Sequence, residues 1–182
     1  FRNTWSWPSS HESDIPKPVI KQAAEGELRT EHETLGNFHL FAEAVEGKSP
    51  EFLFTENETN VWRLEDKNSK RPGCKDAFHM YFTEGLKAAV NSQPRGTKSA
   101  AVYKMNLSAG EERVIRLRLT REDLVSDNPF SEQFDEICVQ RKQEADEFYD
   151  SKVDPGLSSD ERRVLRQASA GLLWTKQFYY YV

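Results

Sequence analysis

Two glutamates flank an asparagine in Thr55-Glu56-Asn57-Glu58-Thr59-Asn60, directly after the short apolar run Glu51-Phe52-Leu53-Phe54-Thr55. A carboxylate pair is the equipment of general acid and base chemistry, and a loop leaving a buried strand is where a rigid scaffold presents such groups. Spaced two apart, Glu56 and Glu58 enter one cleft only if the loop is extended. The pair alone therefore leaves a catalytic, a positioning and a merely solvated role open. Tryptophan supplies a second kind of chemistry. Trp5 and Trp7 share a face of an extended segment by parity, beside Arg2 and Asn3. Indole stacks on the apolar face of a pyranose while polar neighbours meet its hydroxyls, so sugar binding is one reading and core packing the other. Near the other end, Trp174-Thr175-Lys176-Gln177-Phe178-Tyr179 sets polar side chains inside an aromatic run, a mixture that lining a cleft would explain.

Other chemistries lack their residues. His11, His32, His39 and His79 have no metal-ligand spacing, and no phosphate loop or nucleophile elbow occurs, so neither a metal nor a cofactor is expected. Cys74 and Cys138 have no CxxC partner, which fits a reducing compartment and makes a cytoplasmic location the expectation. The 25 basic and 30 acidic residues leave a net charge of −5, which disfavours nucleic acid as a partner. No apolar run reaches the roughly 18 residues of a membrane span. The start at Phe1 without a Met, and the bare aromatic stop Phe178-Tyr179-Tyr180-Tyr181-Val182, read as cuts in a longer chain.

The elements that must hold these residues are set by hydrophobic period. Pro8 to Pro18 is an exposed loop, and strands are expected over Val19 to Gln22, Glu27 to Glu31, Asn37 to Glu43 and Glu51 to Thr55. Val61 to Ala77 is mostly polar. A hairpin is expected near the centre, with Ser99 to Leu107 turning through Ser108-Ala109-Gly110 and returning as Arg113 to Thr120. In the return limb Ile115, Leu117 and Leu119 alternate with Arg116, Arg118 and Thr120, as in a sheet with one wet face. The period then changes from 2 to 3.6. Pro129 opens a helix over Ser131 to Ser151, Asp154-Pro155-Gly156 breaks it, and Ser158 and Glu161 have capping-box spacing at the start of the next.

Three stretches carry a family resemblance. Phe1-Arg2-Asn3-Thr4-Trp5-Ser6-Trp7, Leu53 to Asn60, and Asp160-Glu161-Arg162-Arg163-Val164 with Gly171-Leu172-Leu173-Trp174-Thr175-Lys176-Gln177-Phe178-Tyr179 resemble the glucosidase-like proteins related to glycoside hydrolase family 63, which includes the mannosyl-oligosaccharide glucosidases. Gly96-Thr97-Lys98 agrees with the same pattern, whereas Tyr180 stands where many relatives carry His. The resemblance implies a mainly β fold with C-terminal helices. Residues 1–126 would be part of an antiparallel β-sandwich, 127–156 a linker helix, and 157–182 the start of an (α/α)6 catalytic barrel.

Family chemistry implies inverting hydrolysis of an α-glycosidic bond by two carboxylic acids, both on the barrel beyond this stretch, so no residue here inherits a catalytic role. Trp5, Trp7, Glu56, Asn57, Trp174, Lys176, Gln177 and Tyr179 become substrate-side or interface candidates. The implied partner is an oligosaccharide or glycoside substrate, met through the parent protein. An autonomous carbohydrate-binding or protein-interaction module, with the tryptophans as its platform, is the competing reading, and a free-standing enzyme built on Glu56 and Glu58 is the third.

Overall fold

The computed structural model describes residues 17–33, 35–60 and 73–175. The chain divides into two compact units, Phe1–Phe130 and Ser131–Val182. In the first, β1 (Val19–Ala24) and β2 (Glu27–Glu31) form an antiparallel hairpin closed at Glu25-Gly26. Gly26 sits at φ 71°, and a Cβ there would stand 3.0 Å from the Ala42 carbonyl oxygen, so both the turn and the passing strand require glycine. The strands β3 (Phe38–Ala42), β5 (Arg95–Gly96) and β7 (Leu117–Arg121) complete a five-stranded sheet in the order β5-β1-β2-β3-β7, with every pairing antiparallel. A second sheet pairs β4 (Glu51–Thr55) with β6 (Lys98–Val102).

The alternation read in the sequence decides what lies between the sheets. Ile20, Leu28 and Ala42 project from one face of the larger sheet and meet Phe52 and Phe54 of β4, with Leu40 at the margin of the cluster. On the other side of β4, Leu53 and Thr55 are also buried, at 6% and 0% exposure. Beyond them lies α1 (Ala77–Thr83), whose Ala77 and Met80 pack with Ala89 of a short 3-10 turn and with Val90. The sequence pattern suggested no element here. Seven residues make barely two turns, too few for a 3.6 period to show.

The central hairpin is not formed. Its outgoing limb, β6, pairs with β4 through Leu53↔Ala100, and its return limb, β7, pairs with β3 through Leu40↔Leu119, so the two limbs lie in different sheets. The local turn is present, since the Glu111 amide donates to the Ser108 carbonyl at 3.0 Å. A turn brings two limbs together, but burial chooses the ladder each one joins. The parity of β7 is as read, yet its exposure is reversed. Leu117 and Leu119, opposite Ala42 and Leu40 on the core face, are 53% and 52% exposed, because the apolar cluster on that face ends at Leu40. On the opposite face, Arg116 makes two bonds to the Glu43 carboxylate and lies over the Phe130 ring, while Arg118 donates to the Pro129 carbonyl.

The second unit contains α2 (Glu132–Asp150) and α3 (Ser159–Thr175), close to the expected helices over 131–151 and from 158. The capping box is reciprocal: the Ser158 amide donates to Glu161 Oε2 at 2.9 Å, and the Glu161 amide to Ser158 Oγ at 3.4 Å. The helices run antiparallel, tied by Arg166 with Asp146, by Arg162 with Asp150 at 3.7 Å, and by Arg166 over the Tyr149 ring at 5.0 Å. Neither helix contains a buried residue. Among the described residues no helix is long and apolar enough to cross a membrane. Antiparallel sheet followed by helices is thus the architecture of the chain.

Candidate functional site

Because β4 is buried from Phe52 to Thr55, the chain leaves it at Glu56 from a fixed point. At that exit lies a polar junction built from three separate stretches. The Glu56 carboxylate accepts from Thr97 Oγ1 at 2.8 Å and from Asn91 Nδ2 at 3.2 Å. Thr97 Oγ1 in turn accepts the Asn57 amide at 2.7 Å. Backbone bonds stitch the same place, from the Glu56 amide to the Gly73 carbonyl, from the Gly73 amide to the Ala89 carbonyl, and from the Asn91 amide to the Phe54 carbonyl.

Close approach makes this possible. A Cβ on Gly96 would fall 2.5 Å from the Thr55 carbonyl oxygen and 3.0 Å from Asn91 Nδ2, so any larger residue would push β5 away from β4. The next residues point outward. Glu58 is paired with Lys17, Thr59 Oγ1 accepts from Lys75 Nζ at 2.8 Å, and Lys98 Nζ reaches the Lys75 carbonyl, also at 2.8 Å.

Of the candidates read from the sequence, Glu56 and Asn57 are therefore half-buried in one hydrogen-bonded junction. Trp174 belongs to the second unit, near the end of α3, where it is 88% exposed. Trp5, Trp7, Lys176, Gln177 and Tyr179 lie outside the described residues. Sequence reasoning missed Asn91 and gave Thr97 no role. A lone Asn ahead of Gln93-Pro94 looks like any turn residue, and only its 2.9 Å bond to the Arg95 carbonyl and its contact with Glu56 separate it from one.

A second constellation lies on the outer face of the five-stranded sheet. His39 is 13% exposed and its Nδ1 is 2.5 Å from Glu27 Oε1, while Nε2 faces Glu122 Oε1 at 3.8 Å. Arg29 joins Glu122 at 2.6 Å, and Lys21 joins Glu31 at 2.5 Å. The Asn37 amide, with the charges of Arg29 and His39 behind it, holds the Glu122 carboxyl below its ordinary range; the Lys21 bond does the same for Glu31. Glu122 also borders an open cleft of about 480 Å³ lined by Leu35, Gly36, Asn37, Arg121 and Asp123. These pairs join β1, β2, β3 and the 3-10 turn Glu122–Leu124, and mutual neutralisation is their evident work. Among the described residues no group of three or more His, Cys, Asp or Glu is arranged to hold a metal ion.

Comparison with known proteins adds one relative. No protein-family model matches the chain, and no solved structure does. An uncharacterized protein of Saccharomyces cerevisiae is 36% identical over 211 aligned positions, which take in 98% of this chain and 19% of the yeast protein. The chain thus spans about a fifth of the length of that curated relative.

Proposed function

We propose that the chain is a non-catalytic portion of an inverting α-glucosidase-like glycoside hydrolase, and that its β unit supports the sugar cleft. The observation that carries this reading is a convergence. Leu53 to Asn60 and Gly96 to Lys98 bear the resemblance in two places about 40 residues apart, and they meet in one junction through Glu56, Asn57 and Thr97. Residues that share only a core would not need hydroxyl, amide and carboxylate groups at that meeting point. A loop held in one shape to present polar side chains would.

The reaction requires an acid that protonates the leaving oxygen and a base that activates water, about 6.5–9.5 Å apart across the sugar. Glu56 is unsuited to either part, because both its oxygens are engaged by Asn91 and Thr97. On this reading the reacting acids belong to the barrel of the parent, and the substrate is an oligosaccharide or glycoside with an α-linkage. The 182-residue chain is expected to show no turnover of α-glucosides, whereas the complete parent polypeptide releases a sugar of inverted anomeric configuration, followed by NMR. Turnover by the 182-residue chain, abolished in Glu58→Gln, would replace this reading with that of a free-standing enzyme.

One observation favours the competing reading of a binding module: the 88% exposure of Trp174, an indole face open to a ligand. Quenching of tryptophan fluorescence by maltose, lost in Trp174→Ala, would support it.

A further inference from the structure

Glu56 and Glu58 are equivalent in the sequence, but the fold gives them opposite surroundings. We infer that Glu56 is a positioning residue that fixes the Glu56–Asn60 loop, and that Glu58, with Thr59 and Lys75, forms the face of that loop that meets a polyhydroxylated ligand. The inference rests on the sugar-cleft reading and assigns roles within it.

Three facts put Glu56 in the frame. Its carboxylate accepts from Thr97 and Asn91, its amide donates to Gly73, and Thr97 Oγ1 passes the tie on to the Asn57 amide. The carboxylate thereby links the end of β4 to the Asn91 loop and to the residue between β5 and β6. A half-buried group with both oxygens so engaged has little capacity left for a ligand. Glu58 differs at each point. Its side chain is 45% exposed and pairs with the exposed Lys17, a contact that water or a sugar hydroxyl can open at small cost.

The Glu58 backbone is nonetheless fixed, since its carbonyl accepts the Lys75 amide at 2.9 Å. Lys75 Nζ then reaches Thr59 Oγ1. A carboxylate acceptor and a hydroxyl on one segment, with an ammonium donor from a second segment bonded to it, match the alternating donors and acceptors of vicinal hydroxyls.

The test uses the 182-residue chain with two readouts. Hydrogen exchange at the Asn57 and Lys75 amides reports loop order, and chemical-shift changes on titration with maltose report ligand contact. Glu56→Ala is expected to speed exchange at both amides by about tenfold while the β1–β2 ladder stays protected. Thr97→Val is expected to do the same should Glu56→Ala not fold. Glu56→Gln, which retains one acceptor for Thr97, is expected to restore both the loop and the maltose response. Glu58→Gln is expected to leave exchange unchanged and abolish the response at Glu58 and Thr59.

Unchanged exchange in both Glu56→Ala and Thr97→Val overturns the positioning role. A maltose response that survives in Glu58→Gln overturns the role of Glu58. If the unmodified chain gives no response to maltose, the assignment of Glu58 to a sugar is overturned, while anomer release by the complete parent polypeptide still decides the sugar-cleft reading and exchange still decides the role of Glu56.

Discussion

The two units of this chain contain similar kinds of apolar residue and treat them differently. In the β unit, Ile20, Leu28, Ala42, Phe52 and Phe54 are between 0% and 8% exposed. In the helical unit, Ile137, Val139, Phe148, Val164, Leu165, Leu172, Leu173 and Trp174 are between 42% and 88% exposed, and nothing on either helix is buried. The difference separates two sources of order. Strands exist only through pairing and layer contact, so a described sheet comes with its core. Helices satisfy their backbone within themselves and can be specified by caps and local pairs before their apolar faces find a partner.

The largest expected effect tests this contrast directly. Leu28→Ala should destabilise the β unit by about 3 kcal/mol, since it removes a fully buried leucine from a closed cluster. Leu172→Ala on α3 should stay within about 0.5 kcal/mol, because an exposed side chain leaves no cavity. Urea unfolding followed by residue-resolved hydrogen exchange measures both. Comparable losses in the two variants would mean that α3 is buried in solution, and the contrast would be broken.

A Cβ at Gly96 meets the Thr55 backbone rather than a yielding side-chain end, so Gly96→Ala should cost about 1–3 kcal/mol. It should also loosen the Glu56 junction while leaving the helices unchanged, as exchange at the Asn57 and α3 amides would report. Ser158→Ala should cost the helical unit about 1 kcal/mol through the lost cap, read as faster exchange in the first turn of α3 with no change in β1 to β3.

The smallest effect is in acid. Bonds from Arg116 hold the Glu43 carboxyl below its usual value, and bonds from Ser158 do the same for Glu161. A depressed carboxyl binds fewer protons folded than unfolded. Its contribution is therefore complete above the ordinary pKa, near pH 4.5, and is lost as pH falls below that through the folded value. Glu43→Gln should flatten the acid loss of the β unit alone, and Glu161→Gln that of the α3 start alone. Acid titrations of each variant, followed by circular dichroism and exchange, measure the two slopes. Crossed effects would show that the units unfold as one.

Local patterns in the sequence were enough for β1 to β4, for both long helices and for the Ser158–Glu161 cap, because each depends on a period or a spacing within a few residues. They were also enough to mark Glu56 and Asn57 as the place to look, since a short buried strand running into a polar loop is itself a local signal. The partners of β6 and β7 were beyond that reach. Both limbs satisfy the alternation of a hairpin, and only competition between two sheets for their apolar rows sends Ala100 to Leu53 and Leu119 to Leu40.

The difference between Glu56 and Glu58 is likewise tertiary. Two like residues two apart become a half-buried tie with both oxygens engaged and a more open acceptor once Thr97 and Asn91 arrive from about 40 and 35 positions away. Residue type and spacing determined which chemistry the chain has available. Non-local burial decided which of those groups is consumed in holding the fold and which is left to meet something else, because the hydrogen bonds that settle it come from residues distant in the sequence.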